Sequence, residues 1–207
     1  MLVFGITGGS GSGKTSVLKV FGKLGAKTID CDALYAEMLR SDAGLCGEIK
    51  DAFGDDVCAP DGTLDRNTLG KKVFGDAEKL KLLDSITFKR FQKNVSAHID
   101  KWRAEGAAVA AVDGATMIQA RRCGMFDCNK MIGVVAPEDV RSGRVMARDG
   151  INMEAALKRI RSQEGEKFYR DNCEIIIEND SESREEFENA ITPVIMGIIS
   201  KTEEETK

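Results

Sequence analysis

The run Gly8-Gly9-Ser10-Gly11-Ser12-Gly13-Lys14-Thr15 satisfies the pattern G-x-x-x-x-G-K-[ST] at every fixed position. It lies between the apolar segment Leu2-Val3-Phe4-Gly5-Ile6 and a stretch of helical periodicity. Strand, glycine-rich turn and helix in that order are the context in which this pattern cradles the phosphates of a nucleoside triphosphate. Four glycines between positions 8 and 13 permit positive φ values and close backbone approach, so that successive N–H groups can surround phosphate oxygens at the positive end of the next helix. The candidate nucleotide-binding residues are therefore Gly9, Ser10, Gly11, Ser12, Gly13, Lys14, Thr15 and Ser16. Lys14 is expected to reach the β- and γ-phosphates, and the Thr15 hydroxyl to ligate Mg2+.

The chain has 207 residues, 42% hydrophobic and 31% charged, enough for one buried core with excursions and too few for two α/β domains. A formal net charge of -4 argues against a duplex nucleic-acid partner. No apolar run approaches the length of a bilayer span, and Met1 is followed at once by the first expected strand, so the expectation is a cytoplasmic protein with no membrane partner. Six cysteines and a single histidine, His98, show no C-x-x-C pair. That leaves few ligands for zinc and suits reduced, packing thiols.

Val17, Leu18, Val20, Phe21 and Leu24 form a helical stripe that stops at Gly25, a natural C-terminal signal. A short strand is expected from Ala26 to Asp30. Residues 33–105 read as a helical insertion, broken at Phe53-Gly54-Asp55, Pro60-Asp61-Gly62 and Gly75-Asp76. Continuous apolar runs from Ala107 to Val112, Met131 to Ala136 and Glu174 to Glu178 read as buried strands. Helices are expected after Pro137, from Asn152 to about Glu164, and from Ser183 to about Ile199, with residues 201–207 a frayed tail. His98 falls mid-helix with Val95 and Ile99 and reads as a packing or surface residue. Strands alternating with helices imply βαβ units. With the phosphate loop they give a three-layer α/β/α P-loop NTPase with a central parallel sheet.

Asp30-Cys31-Asp32 falls at the carboxyl end of the second strand, the edge where open α/β sheets bind ligands. One of the two acids is placed to take a proton from an attacking hydroxyl, while Asp32 also suits a helix N-cap. Asp113 closes an apolar strand, the position of an acid that completes a magnesium site, directly or through water. Arg144 and Arg148 stand one turn apart, where their planar forks could clamp β- and γ-phosphates. Asp149 and Glu138 are near enough in sequence to pair with them instead.

With these elements in order, the chain resembles the dephospho-CoA kinases over nearly its whole length. The residues that carry the resemblance are Thr7-Gly8-Gly9 with Gly11-Ser12-Gly13-Lys14, Asp30-x-Asp32, Asp61-Gly62-x-Leu64-Asp65-Arg66, Val73-Phe74, Asp113, Val134 to Pro137, Arg144-x-x-x-Arg148-Asp149, Arg159-Ile160-x-x-Gln163 and Ile176 to Asn179. The resemblance implies that ATP, with Mg2+, phosphorylates the ribose 3′-hydroxyl of dephospho-CoA. By motif it makes Asp32 the base, keeps Lys14 and Thr15 in their phosphate and metal roles, and sets Arg144 in a helical lid over ATP. It also implies that the helical region receives the acceptor with Arg66 as a phosphate contact, that Asp113 borders the acceptor and metal, and that Asn179 approaches the adenine of ATP. The division it implies is a core of about 1–32, 106–137 and 172–200, a substrate region of about 33–105 and a lid of about 138–171.

Three departures from the family's pattern bear on the acceptor side and the lid. Phe88-Lys89 replaces a common His-Pro; Ala115-Thr116-Met117-Ile118-Gln119 replaces a Pro-Leu-Leu-Phe-Glu type of sequence; and one extra residue lies between Glu138 and Arg144. A kinase for another nucleoside-like alcohol, or a nucleotide-dependent switch ATPase, are the competing readings.

Overall fold

The computed structural model describes residues 1–59 and 63–206. The expected Pro60-Asp61-Gly62 turn, the Asp61-Gly62 part of the family motif and Lys207 lie outside the described residues. The elements run β1 (Leu2–Gly8), α1 (Lys14–Lys23), β2 (Lys27–Asp30), α2 (Cys31–Ser41), α3 (Ala43–Phe53), a 3-10 turn (Asp55–Val57), α4 (Arg66–Val73) and α5 (Ala77–Ala104). They continue with β3 (Val109–Asp113), α6 (Met117–Arg122), β4 (Lys130–Val135), α7 (Glu138–Asp149), α8 (Met153–Arg161), α9 (Glu166–Asn172), β5 (Ile175–Glu178) and α10 (Arg184–Glu205). Two compact units divide the chain, one of Met1–Asp30 with the segment from Lys101 onward, the other of Cys31–Asp100.

The first unit is built on a parallel sheet in the order β2-β3-β1-β4-β5. All seven residues of β1 are buried, as a strand covered on both faces must be. Alternation then sorts its side chains. Phe4 and Ile6, with Ile132, Val134 and Ile177 from the neighbouring strands, pack under Val17 and Phe21 of α1 and Phe187, Ile191 and Ile195 of α10. On the opposite face Gly5 leaves room for Met131 and Phe126, and Gly133 for Ile176 and Cys173. The register aligns the carboxyl ends, setting Ile6 beside Asp113, Asp113 beside Asp30, and Gly8 beside Val134.

α10 departs from expectation at its end. Residues from Lys201, expected to fray, remain helical to Glu205. Thr202 is buried and its hydroxyl donates to the Ile198 carbonyl at 2.8 Å. Lys130 of β4 reaches Glu205 at 2.6 Å. Tertiary anchoring thus supplies what the polar sequence of this segment lacks on its own.

The second unit has its own core, formed by Met38, Leu45, Ile49, Val57, Leu69 and Val73. Asp42 caps α3 by accepting from Leu45 N–H at 3.0 Å, and Arg90 of α5 forks onto both Asp42 oxygens at 2.8 Å. Asp65 caps α4 through Asn67 and Thr68 N–H at 3.0 and 3.1 Å. Cys46 and Cys58 are joined as a disulfide with Cα atoms 6.2 Å apart. This corrects the expectation of reduced thiols for that pair. A separation of 12 residues carries no local signature; the fold of α3 around Val57 brings the two together. Among the described residues no helix is long and apolar enough to cross a membrane.

Candidate nucleotide and phosphoryl-transfer site

Because β1 ends at Gly8 and α1 starts at Lys14, the loop between them lies at the carboxyl edge of the sheet, where the first N–H groups of α1 have no carbonyl inside the helix. Gly13 caps α1 in the left-handed region at φ 106, and its carbonyl accepts from Ser16 and Val17 N–H at 3.0 and 3.3 Å. A Cβ at Gly13 would collide with Asn179 Nδ2, and one at Gly11, with φ +78, would lie 2.6 Å from the Arg141 carbonyl. Only glycine fits both constraints.

Ser12 N–H donates to the Gly9 carbonyl at 3.2 Å, closing the turn, and Lys14 Nζ donates to the same carbonyl at 3.4 Å. Ser12 Oγ is buried and has no hydrogen-bond partner among the described residues, which leaves a polar atom inside the loop for a ligand or water to satisfy. Thr15 is exposed in the first turn of α1, and Ser16 behind it is buried.

Asn179 follows β5 and is buried; its Nδ2 donates to the Ser12 carbonyl at 2.7 Å. Arg144 of α7 lies against the same corner. Its Nη1 donates to the carbonyls of Gly11 at 3.1 Å and Asn179 at 3.4 Å, and its Nη2 to Asn179 Oδ1 at 3.0 Å and the Ser181 carbonyl at 2.7 Å. Burial holds the guanidinium below its ordinary pKa, opposed by Asp180. The sequence reading set Arg144 aside as a phosphate clamp; here it braces the loop. Arg148, its expected companion, is exposed and forks onto Asp149 at 2.7 and 2.9 Å, and Arg159 reaches the same carboxylate at 2.7 Å. Glu138 pairs with Arg161 at 2.8 Å rather than with either clamp arginine.

Asp113 is buried at the end of β3, where the Ile6 carbonyl accepts from the next residue, Gly114 N–H, at 3.0 Å. Asp30 stands beside it in register. Among the described residues no group of three or more His, Cys, Asp or Glu could hold a metal ion. Asp32 and Arg66 belong to the second unit, each exposed in the first turn of its helix, α2 and α4 respectively. Asp32 is inside α2 rather than its cap. An arginine in a helix's first turn opposes the helix dipole, so helix stability does not explain Arg66. His98 is exposed on α5.

Two residues that sequence reasoning gave no site role complete the loop's surroundings. Arg141, three residues before Arg144 on α7, donates from Nε to the Ser10 carbonyl at 2.9 Å. Gln163, after α8, accepts from Ser10 N–H at 2.8 Å and donates to Ser10 Oγ at 2.9 Å. The i, i+3 spacing of the arginines was the available signal for Arg141, and its place in the motif Arg159-Ile160-x-x-Gln163 for Gln163. Ser10 N–H, expected to face phosphate, is taken up by this side chain.

The family model for dephospho-CoA kinase matches residues 2–185. The chain is 37% identical over 171 residues to the dephospho-CoA kinase of Moorella thermoacetica, covering 82% of this chain and 79% of that one. A solved structure of a Thermus thermophilus protein superposes with a TM-score of 0.71 at 28% identity, covering 95% of this chain and 97% of the other. The dephospho-CoA kinase of Campylobacter jejuni shares the fold with a TM-score of 0.62 at 23% identity, covering 95% and 96%.

Proposed function

The chain belongs to the dephospho-CoA kinase family, and on that premise we propose how its residues divide the transfer of a phosphoryl group from ATP to the ribose 3′-hydroxyl of dephospho-CoA. The activity is that of the family: ATP-dependent phosphorylation of dephospho-CoA, the last step of coenzyme A synthesis. The observation that carries the division is a glycine-rich loop at the head of α1 whose conformation is fixed by side chains from α7, the α8–α9 turn and the residue after β5.

Gly9 and the loop residues from Gly11 to Ser16 hold the triphosphate of ATP, with Ser10 kept in place between them by Gln163 and Arg141, and Lys14 exchanges its contact with the Gly9 carbonyl for β- and γ-phosphate oxygens. Asn179 and Arg144, which pack against the loop from the β5 side, border the adenine end. Arg148, in the last turn of α7, exchanges its fork onto Asp149 for the transferring group. Thr15 and Asp113 offer oxygen donors alone, the set that suits Mg2+. That ion would supply neutralisation of charge on the phosphates. In the second unit, Asp32 accepts the proton of the 3′-hydroxyl and Arg66 pairs with the phosphates of the acceptor. The hydroxyl oxygen forms a bond to the γ-phosphorus, the bond from that phosphorus to the bridging oxygen breaks, and ADP leaves. Since the substrates are ATP and a soluble coenzyme precursor, we assign the enzyme to the cytoplasm.

The test is turnover with ATP and a panel of alcohols, with phosphorylated product identified by mass. Dephospho-CoA is expected to be the preferred acceptor. Phosphorylation of a simple nucleoside with dephospho-CoA inert, or ATP hydrolysis indifferent to every alcohol, contradicts the assignment.

A further inference from the structure

We propose that Gln163, backed by Arg141, is a positioning residue for the nucleotide, imposing on the tip of the phosphate loop the shape in which it binds ATP. The proposal rests on the loop's role as a triphosphate cradle and is independent of which alcohol accepts the phosphate.

Ser10 is the residue at the tip, and each of its three polar groups is engaged by a side chain from a distant part of the first unit. Its N–H donates to Gln163 Oε1 at 2.8 Å, its Oγ accepts from Gln163 Nε2 at 2.9 Å, and its carbonyl accepts from Arg141 Nε at 2.9 Å. Arg141 Nη2 closes the ring on Gln163 Oε1 at 3.3 Å. The orientation of the amide is determined by the network. Ser10 N–H and Arg141 can only donate, so the oxygen must face them, and the nitrogen then faces the hydroxyl.

Gly9 and Gly11 flank Ser10 and give the backbone little preference of its own. Arg141 fills the space where their side chains would stand: a Cβ at Gly9 would strike its guanidinium and one at Gly11 its main chain. A tip without intrinsic shape is thus molded from outside, and an anion site so prepared loses less entropy when the ligand arrives. Arg141 is buried. Burial depresses its pKa, opposed by Tyr169, Glu138 and Glu166; a guanidinium stays protonated in proteins, so a positive charge stands against the loop at Ser10. Arg141 and Gln163 arrive together because α7 and α8 share a small core of Val145, Ala156 and Ile160, and Gln163 N–H is itself tied to the Ile160 carbonyl at 3.2 Å.

Gln163→Met keeps the length of the side chain and removes both hydrogen bonds to Ser10. Calorimetric titration with ATP, in the absence of acceptor, should show affinity lowered about tenfold or more. The KM for ATP should rise in step, while the KM for dephospho-CoA, kcat at saturating ATP and the melting temperature stay close to wild type. In a Ser10→Ala background the Gln163→Met penalty should shrink, because one of the two bonds is already absent. Independently of any variant, hydrogen exchange at the Ser10 amide should be slow in the nucleotide-free protein. Wild-type ATP affinity in Gln163→Met, a parallel loss of ATP affinity, acceptor affinity and stability, or a Ser10 amide that exchanges as an open loop would each refute the proposal.

Discussion

Asn179 ties the phosphate loop to α7 through the two ends of one amide, Nδ2 donating to the Ser12 carbonyl at 2.7 Å while Oδ1 accepts from Arg144 at 3.0 Å. Because Asn179 is buried, removing it strands a carbonyl and a guanidinium N–H, and each stranded group costs roughly 1–3 kcal/mol. Asn179→Ala is therefore expected to weaken ATP binding about tenfold or more, measured by titration without acceptor. Unchanged affinity would separate Asn179 from the nucleotide site.

Arg144 supplies the second prediction, since its four hydrogen bonds all go to oxygens of the protein itself. A residue serving only the transferring phosphate would leave the empty enzyme's stability unaltered on removal. Arg144→Ala should instead destabilise the nucleotide-free protein by about 2 kcal/mol, seen as a lower melting temperature before any ligand is added. A normal melting temperature with lost turnover would return Arg144 to the role of a pure phosphate clamp.

Asp32 and Asp30 can be distinguished by paired substitutions. Asp32→Asn is expected to bind ATP normally and to lower turnover roughly a hundredfold or more, the scale of a lost general base. Asp30 stands beside Asp113 in the sheet register, so Asp30→Asn is the control for an acid that acts from the sheet edge. Near-normal turnover in Asp32→Asn with a large loss in Asp30→Asn would transfer the proton-accepting role to Asp30.

Glu188 of α10 bonds Lys23 at 2.7 Å and Lys19 at 3.0 Å on α1, the helix that leads from the phosphate loop. The bond to Lys23, then that to Lys19, holds its carboxyl below the usual range against the opposing effect of burial. A depressed folded pKa means the unfolded chain takes up this proton first as the solution is acidified. The stabilisation is therefore complete above the unfolded value and disappears as pH falls through the folded one. Both lysines are about half exposed and rehydrate easily, so Glu188→Gln should cost about 1 kcal/mol at pH 7. Denaturant melts should show that gap close below about pH 4; a gap constant with pH would exclude the ion pairs as its source.

The part of the fold legible in the sequence is the part governed by local pattern. The buried strand, glycine run and amphipathic stripe around Lys14 identified β1, the loop and α1 within a residue or two, and continuous apolar runs identified β3, β4 and β5. α6 and α9, of six and seven residues, are too short for periodicity to register. The clamp on Ser10 was illegible for a different reason: Gln163 lies 153 positions away, and the charge order of α7 is equally well explained by the helix dipole. Arg144 shows the limit from the other side. Its spacing from Arg148 suggests a shared phosphate-facing side, but in the structure four carbonyl or amide oxygens of the protein engage Arg144 while Arg148 forks onto Asp149.

The cysteines give the last prediction. Burial pushes the Cys128 thiol up to about 11 against the opposing charge of Arg121, and the Cys173 thiol up to about 12. At pH 8 the thiolate fractions are then about one in a thousand and one in ten thousand, and only the thiolate reacts with an alkylating agent. Exposed Cys123 should be labelled by iodoacetamide well before either, as read by peptide mass spectrometry of the native protein. Raising the pH from 8 to 10 should speed labelling of Cys128 about a hundredfold, provided the protein stays folded. Unfolding without reductant should expose only Cys31, Cys123, Cys128 and Cys173, with Cys46 and Cys58 appearing after reduction. Ready labelling of Cys46 in the unreduced, unfolded chain would show that this pair is not bonded in the protein as isolated.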